Sequence, residues 1–333
     1  MTVTAHAPGE WRRRIRAVVK DALSRAGLLP LFRRARCLLQ GVTGFLWLFP
    51  LRILVNTGLA YTRVVWRLNP NTKLLKDYLP KIVGKQRTTV YHWVGPKRVA
   101  FEFYTPNATC QYRADSFSTK EPETLDWIDR FGGGGVLFDV GANVGVYSIY
   151  HAKTQNASVF AFEPSVLNLP VLVKNINAND LQSKIKVIAN PLSARCGFAN
   201  FKLTTADEGG SLSAFGVDYG QDGKSITSLM WYETYGFTLD YLLESGVIAE
   251  KPRLIKLDVD GIEHLILDGA RRTLSDPECQ SVLVEIDENF RTQATLVAEI
   301  LGACGFSFKY KKRGAMSTRD PGGTFNHVWA KNG

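Results

Sequence analysis

Short apolar runs alternate with longer amphipathic stretches over the C-terminal two thirds of the chain. Brief apolar runs that end in polar residues are typical of buried strands, and the stretches between them have helical spacing. We predict strands at residues 136–138, 158–162, 185–189, 254–257 and 281–286, and helices at 146–153, 169–177, 263–274 and 293–301. Such alternation requires a parallel sheet with crossover helices, so the predicted fold class is α/β.

The sequence on either side of this alternation follows other patterns. Residues 80–118 alternate in strand fashion around R-T-T-V-Y-H-W-V and R-V-A-F-E-F-Y, which predicts a β-rich lead-in. A helix is predicted over residues 122–131, and the four glycines at 132–135 end it. Further short strands with hairpin character are predicted at 198–204, 306–311 and 325–330.

The N-terminal segment is basic and partly apolar. Residues 1–36 are rich in arginine, and the uncharged run at 37–51 ends just before Arg52. A spanning helix needs about 20 apolar residues, and placing Arg52 in mid-helix would cost roughly 3 kcal/mol. We therefore predict that residues 11–67 lie on an anionic membrane surface. The alternative is a helical cap that packs on the main domain or on a partner chain.

The charge distribution divides the chain in two. Residues 1–100 hold 19 Lys and Arg against 3 Asp and Glu, whereas the remainder holds 22 against 28, which together give the net charge of +10. We predict a basic N-terminal helical extension over residues 1–100 and a catalytic domain over residues 101–333. The aromatic residues of the extension are not interleaved with its arginines, so nucleic acid is an unlikely partner.

The five cysteines are scattered and odd in number, and none has the spacing of a metal site. We expect no structural zinc. A reduced compartment fits this pattern, and the predicted location is the cytoplasm, peripheral on the inner face of the membrane if the basic segment binds there.

A glycine turn follows the first predicted sheet strand, in the sequence D-V-G-A-N-V-G. The residues with candidate roles there are Asp139, Gly141, Asn143 and Gly145, and Glu163 ends the next strand about 20 residues on. An acid in that position can bind both ribose hydroxyls. Asp139 would repel a phosphate but suits an ammonium, and Asn143 can donate to a carboxylate. This chemistry predicts S-adenosyl-L-methionine as cofactor; the alternative is a turn that packs helix on sheet without a ligand.

Four motifs then carry a resemblance to a known family. They are S-T-K-E-P-E-T-L-D-W-I-D, D-V-G-A-N-V-G-V-Y-S, A-F-E-P-S and I-K-L-D-V-D-G-I-E-H-L-I-L-D-G-A. Over residues 101–333 the chain resembles the FkbM family of S-adenosylmethionine-dependent O-methyltransferases, many of which act on sugars. The resemblance implies a Rossmann-like, seven-stranded class I methyltransferase sheet with one antiparallel edge hairpin. Asp260 stands where the family often has Glu.

Acidic and amide residues at the strand ends are candidates for the chemistry. The candidate bases for a hydroxyl acceptor are Asp258, Asp260 and His264, and Asp258 is preferred. The alternative for His264 is an exposed helix residue without a catalytic role. Asn190 is a candidate for adenine binding or a simple turn former. A magnesium ion on Asp258 and Asp260 is a rival mechanism, and no metal is assigned.

The predicted function is an O-methyltransferase acting on a hydroxyl of a sugar, glycan or glycolipid. The alternative is a non-catalytic membrane-surface protein that retains the fold. The predicted partners are a small-molecule or glycan acceptor and an anionic membrane surface. The loop at residues 209–213, G-G-S-L-S, has chemistry suited to gripping a polar acceptor, or is an ordinary surface loop.

Overall fold

A computed structural model describes residues 86–313 and 323–332 of the chain. The strands are β1 Arg87–Val94, β2 Lys97–Tyr104, β3 Leu137–Val140, β4 Val159–Phe162, β5 Ile185–Ile188, β6 Gly197–Leu203, β7 Ser213–Phe215, β8 Met230–Gly236, β9 Leu254–Leu257, β10 Ser281–Asp287, β11 Phe306–Lys312 and β12 Thr324–Lys331. The helices are α1 Ala108–Asp115, α2 Pro122–Phe131, α3 Val146–Thr154, α4 Leu169–Ala178, α5 Leu239–Glu244, α6 Glu263–Asp268, α7 Arg271–Ser275 and α8 Arg291–Ala303.

The main sheet has seven strands in the order β11-β12-β10-β9-β3-β4-β5. The five strands from β10 to β5 are parallel, while β12 pairs antiparallel with both β10 and β11. The strand order reverses at β3, which is the topological switch point where α/β sheets bind ligands. The predicted Rossmann-like methyltransferase sheet with an antiparallel edge hairpin is confirmed.

Buried side chains cover both faces of this sheet. On one face Phe138, Phe160 and Phe162 pack with residues of α6 and α8, and on the other Leu137, Val159 and Ala161 pack with α2, α3 and α4. This division follows from the strand period, because successive side chains point to opposite faces. Both faces being covered explains why the central strands are continuous apolar runs in the sequence.

The β1–β2 hairpin confirms the predicted strand-rich lead-in and packs on the second face through Phe101 and Phe103. Two asparagines of the α4 region bond its edge. Tyr104 N donates to Asn175 Oδ1 at 2.6 Å, and Glu102 N donates to Asn179 Oδ1 at 3.0 Å. Asn179 Nδ2 donates to the Glu102 carbonyl at 2.8 Å, so amide side chains replace a neighbouring strand.

Two local predictions were wrong. The lead-in to residue 118 contains helix α1, which Asn107 begins by accepting a hydrogen bond from Cys110 N at 2.8 Å. The single helix predicted at 263–274 is two helices, because the Asp240 carboxylate accepts from Arg272 N and Thr273 N and so caps a new helix start. The break between α6 and α7 depends on a contact with a residue far along the chain. The start of α1 depends on a single capping residue within a segment whose alternating pattern predicts strands.

The insertion between β5 and β9 forms a three-stranded antiparallel sheet in the order β7-β6-β8, larger than the predicted hairpin. Most of the predicted N-terminal extension, including the membrane-surface segment at residues 11–67, lies outside the described residues. Among residues 86–313 and 323–332, none of the helices combines the length and the apolar character that spanning a membrane requires.

A buried polar relay links α2 to the antiparallel edge of the sheet and gives a stability prediction. Trp127 Nε1 donates to Ser281 Oγ at 2.9 Å, and Ser281 Oγ donates to the Trp329 carbonyl at 2.7 Å. Ser281→Ala leaves the Trp127 N–H without its acceptor, and we expect the free energy of unfolding to fall by about 1–3 kcal/mol in denaturant titrations. Ser275→Ala, which removes an exposed hydroxyl, is the control, and an equal loss in both variants would contradict this assignment.

Candidate cofactor and active site

The turn after β3 is held by backbone contacts that explain its sequence. Gly141 N and Ala142 N both donate to the Phe162 carbonyl at 3.0 Å, which brings the turn against the end of β4. Gly141 has φ +83°, and a Cβ there would overlap the Asp258 carbonyl oxygen at the end of β9. Only glycine fits this close approach, so the turn lies directly beside the K-L-D-V-D-G loop.

A cleft of about 380 Å³ opens at the carboxyl ends of β3, β4, β9 and β10. That volume lies within the range of small-molecule and cofactor sites. Six of the nine sequence-predicted site residues line the cleft: Gly141, Asn143, Glu163, Asn190, Asp258 and Asp260. Asp139, Gly145 and His264 do not line it.

Glu163 lies at the end of β4 with its carboxylate facing the glycine turn. Asn143 N donates to Oε2 at 2.7 Å, and Ser165 N donates to Oε1 at 2.9 Å. Burial raises the pKa of Glu163 to about 7, although these backbone hydrogen bonds and Asn168 favour the charged form. The carboxylate is thus fixed in orientation and retains acceptor capacity toward the cleft.

The sequence suggested Asn143 as a hydrogen-bond donor to the ligand, but the structure leaves its side-chain oxygen, an acceptor, without a partner among the described residues. Its Nδ2 donates to the Gly210 carbonyl at 2.7 Å, whereas its Oδ1 is buried and has no partner among the described residues. The residue is held in the left-handed region with φ 52°, which asparagine tolerates better than most side chains. A buried acceptor without a partner, on the wall of a cleft, suits an ammonium donor.

Asp139 lies beneath the turn and is fully buried. Ser148 Oγ donates to its Oδ2 at 2.6 Å, and its Oδ1 has no partner within the described part of the chain. Burial raises the pKa of Asp139, and Lys256 and Ser148 oppose that rise. This position supports a role for Asp139 in shaping the glycine turn. A contact between Asp139 and a ligand would have to pass through a water molecule or a neighbouring group.

Asp258 ends β9 and forms an ion pair with a lysine of the same strand. Lys256 Nζ lies 2.7 Å from Asp258 Oδ2, and the lysine side chain is only 1% exposed. Burial alone would raise the pKa of Asp258, but Lys256 and Lys120 hold it well below its usual range. Burial alone would lower the pKa of Lys256, but Asp258, Glu121 and Asp139 raise it. Both groups are charged at neutral pH.

Comparison with known proteins agrees with this arrangement. Residues 139–308, about half of the chain, match the model described as the Methyltransferase FkbM domain. The chain belongs to the FkbM methyltransferase family. The match begins at Asp139 and includes the glycine turn, Glu163 and the Asp258 loop, which contribute residues to the cleft.

Individual relatives are more distant. Methyltransferase sdnD of Sordaria araneosa is 37% identical over 62 residues, which are 18% of this chain and 24% of that protein. The chain therefore matches about a quarter of the length of this curated relative.

Solved structures with a similar fold have low sequence identity. Precorrin-6y C5,15-methyltransferase of Geobacter metallireducens GS-15 is 14% identical, with a TM-score of 0.38 over 64% of this chain and 87% of that one. TYW2 of M. jannaschii, solved in complex with AdoMet, is also 14% identical, with a TM-score of 0.38 over 74% of this chain and 86% of that one. The fold assignment rests on the strand order, since these scores are low.

The floor of the FkbM-domain cleft contains further charged groups that complete its chemistry. Glu285 at the end of β10 lines the cleft, and Gln221 Nε2 donates to its Oε2 at 2.6 Å. Burial raises the pKa of Glu285 well above its usual range, and the nearby charges of Asp258 and Glu121 raise it further. Lys120 pairs with Glu121 at the same floor.

Sequence reasoning missed Lys256, Gln221 and Arg113 in this site. A lysine inside the apolar run L-I-K-L was a usable signal, because a buried strand rarely holds an unpaired charge. Gln221 and Arg113 come from a loop and from α1, and nothing in their local sequence indicates the cleft.

His264 lies away from the cleft, on α6. It is buried rather than exposed, and its ring packs edge-on against Phe290 with centroids 6.1 Å apart. Burial lowers the pKa of His264, so the imidazole is neutral at physiological pH. Its neighbour Glu263 is bonded by Val259 N at 3.0 Å and Gly261 N at 3.1 Å and supports the loop that carries Asp258 and Asp260.

Asn190 lines the cleft beyond Glu163, and its Nδ2 donates to the Tyr235 carbonyl at 3.0 Å. The adenine-binding role of Asn190 stays a prediction. Within residues 86–313 and 323–332, no group of three or more His, Cys, Asp and Glu side chains is arranged to hold a metal ion.

The buried ion pair gives a prediction with a defined pH dependence. Lys256→Met leaves Asp258 and its acidic neighbours without their cation, and we expect a loss of about 3–5 kcal/mol of unfolding free energy at pH 8. In this variant the carboxyl pKa values rise above their unfolded values. The folded state then binds more protons, so the loss relative to wild type shrinks at pH 5.

Two controls accompany this measurement by chemical denaturation. Lys186→Met removes an exposed partner of Glu250 and should change stability by less than about 1 kcal/mol. The double variant Lys256→Met, Asp258→Asn should recover part of the loss. A destabilisation independent of pH and of Asp258 would show that Lys256 acts only through packing.

Proposed function

We propose that the protein transfers a methyl group from S-adenosyl-L-methionine to a hydroxyl group. The observation that carries this proposal is the arrangement of Asn143 and Glu163 on the wall of a cleft within an FkbM methyltransferase domain. Asn143 N fixes the Glu163 carboxylate, and the buried Asn143 Oδ1 has no partner within residues 86–313 and 323–332. The two groups together match an ammonium and a pair of ribose hydroxyls.

The residues present fit this cofactor in three places. Glu163 would hold the ribose, and Asn143 Oδ1 would accept from the ammonium. Asn190, beside the apolar side chains of Phe162 and Leu192 that also line the cleft, would contact the adenine.

S-adenosylmethionine supplies a methyl group on a positively charged sulfur, which is already a good leaving group. The chain must therefore orient the acceptor hydroxyl and take its proton, and positioning provides much of the acceleration. Asp258 is the predicted contact for that hydroxyl. Its ion pair with Lys256 makes it a weak base that orients by accepting a hydrogen bond. Burial favours the protonated form of Glu285, so the hydroxyl proton would pass to the charged Asp258 or to solvent as the new bond forms.

The acceptor side of the cleft supports a sugar, glycan or glycolipid substrate. Lys120, Gln221, Asp258 and Glu285 all line it and offer both donors and acceptors. Several closely placed polar groups suit a ligand with neighbouring hydroxyls, because each buried hydroxyl needs a hydrogen-bond partner.

The proposed site of action is the cytoplasmic face of a membrane. Residues 1–100 carry 19 Lys and Arg against 3 Asp and Glu, with Trp, Phe and Leu in uncharged runs between the basic clusters. This composition suits contact with an anionic lipid surface, where membrane-linked saccharides are found.

Isothermal titration with S-adenosylmethionine tests the cofactor assignment. We expect the wild type to bind, and Glu163→Ala to bind at least tenfold more weakly, because the ribose hydroxyls lose a charged acceptor. Glu233→Ala, which removes an exposed carboxylate outside the cleft, is the matched control. A folded wild type that fails to bind, or equal binding by all three proteins, would contradict the proposal.

A further inference from the structure

A segment at residues 208–213, here called the strap, lies along the cleft, and five of its six residues line it. Its first end is bonded to α1. Asn107 Nδ2 donates to the Glu208 carbonyl at 3.0 Å, and Arg113 Nε donates to the Gly209 carbonyl at 2.6 Å. The same two residues of α1 thus fix two successive peptide groups of the strap.

The middle of the strap is bonded to the groups that would hold the cofactor. The Gly210 carbonyl accepts from Asn143 Nδ2 at 2.7 Å and from Asn168 Nδ2 at 3.3 Å, and Gly209 N donates to Asn168 Oδ1 at 2.8 Å. Asn168 Nδ2 also lies 3.4 Å from Glu163 Oε1. The strap, the glycine turn and Glu163 therefore form one hydrogen-bonded unit.

The far end of the strap is bonded by two side chains. Thr204 Oγ1 donates to the Leu212 carbonyl at 2.9 Å. Asp260 Oδ2 accepts from Leu212 N at 2.7 Å and from Ser213 N at 3.1 Å. Both sides of this contact are in the left-handed region, with φ 62° for Asp260 and φ 63° for Leu212. Such a conformation is unfavourable for a bulky residue such as leucine and persists only where the surroundings fix it.

We propose that Asp260 is a positioning residue whose carboxylate fastens the strap across the cofactor cleft, so that the strap forms one wall of the S-adenosylmethionine site. This inference rests on the proposed function. It differs from the predicted role of Asp260 as a base, because one of its two carboxylate oxygens accepts from two backbone N–H groups of the strap.

The charges around Asp260 make the fastening sensitive to pH. Asp258, Glu263 and Glu285 are the acidic groups near it, and Arg113 is the neighbouring cation. Burial and the Asp258 charge raise the pKa of Asp260 to about 6, and the two strap N–H groups oppose that rise. The charged carboxylate is the form that these N–H groups stabilise, so the strap is held above pH 6 and loosens as pH falls through it.

The test measures cofactor binding and backbone exchange in two Asp260 variants. Asp260→Gly removes the carboxylate and suits the left-handed φ, so its effect is not one of backbone strain. We expect about tenfold weaker binding of S-adenosylmethionine with a correspondingly faster dissociation rate, and faster hydrogen exchange of the Leu212 and Ser213 amides. Asp260→Asn keeps an acceptor oxygen and should bind within about threefold of wild type at pH 7.5.

The pH profile separates positioning from a merely structural role. Wild-type affinity should fall as the pH drops below about 7, where Glu163 becomes protonated, and fall further near pH 6, where Asp260 does. Asp260→Asn should lack the second part of this fall. Asp207→Asn removes an exposed charge next to the strap and keeps the backbone carbonyl that accepts from Gly210 N, so it should match wild type throughout. Thermal unfolding without ligand establishes that each variant is folded.

Two results would overturn the proposal. The first is that Asp260→Gly keeps the wild-type dissociation rate and the wild-type amide exchange. The second is that Asp260→Gly binds the cofactor faster and more tightly, which would mean that the strap hinders cofactor entry. If the folded wild type fails to bind the cofactor, the proposed function is contradicted. Hydrogen exchange then still tests whether Asp260 holds the strap, and unchanged exchange of the Leu212 and Ser213 amides in Asp260→Gly would contradict that claim.

Discussion

The buried ammonium of Lys256 is the constraint on which the acidic floor of the cleft depends. Parallel strands bring their carboxyl ends to one edge of the sheet, and here β3, β9 and β10 end in or next to Asp139, Asp258 and Glu285. Carboxylates this close raise one another's pKa values and would not all remain charged. Lys256 keeps Asp258 charged, while Glu285 retains a raised pKa. Lys256, together with Lys120, thus gives one site two carboxyl groups with different protonation behaviour.

The glycine turn joins this floor to the cofactor side. Gly141 packs against the Asp258 carbonyl. This contact sets the distance between the glycine turn and Asp258, the candidate contact for the acceptor hydroxyl. Asn143 extends the connection to the strap, and the strap returns to Asp260 in the loop after β9. The two halves of the cleft are therefore one connected structure, in which a change at either side alters the other.

Most of the sheet could be predicted from the sequence, because periodicity and glycine turns are local signals. The apolar run at 254–257 and the helix at 122–131 coincide with β9 and α2. The strap, the split between α6 and α7, and the burial of His264 could not be predicted in this way. Each depends on a partner far along the chain: Asn143 and Asp260 for the strap, Asp240 for α7, and Phe290 for His264. Glu163 and the glycine turn lie together as expected, whereas the roles assigned to the individual candidate residues remain predictions.

The most direct measurement is a crystal structure of the protein with S-adenosylhomocysteine, the product that a methyl transfer would leave. We predict the ligand in the cleft between the glycine turn and the strap, with its ribose on Glu163 and its ammonium on Asn143 Oδ1. The bonds of Asp260 to Leu212 N and Ser213 N should be retained. A ligand bound outside this cleft, or a cleft that stays empty at saturating ligand in a well-ordered crystal, would contradict the central claim.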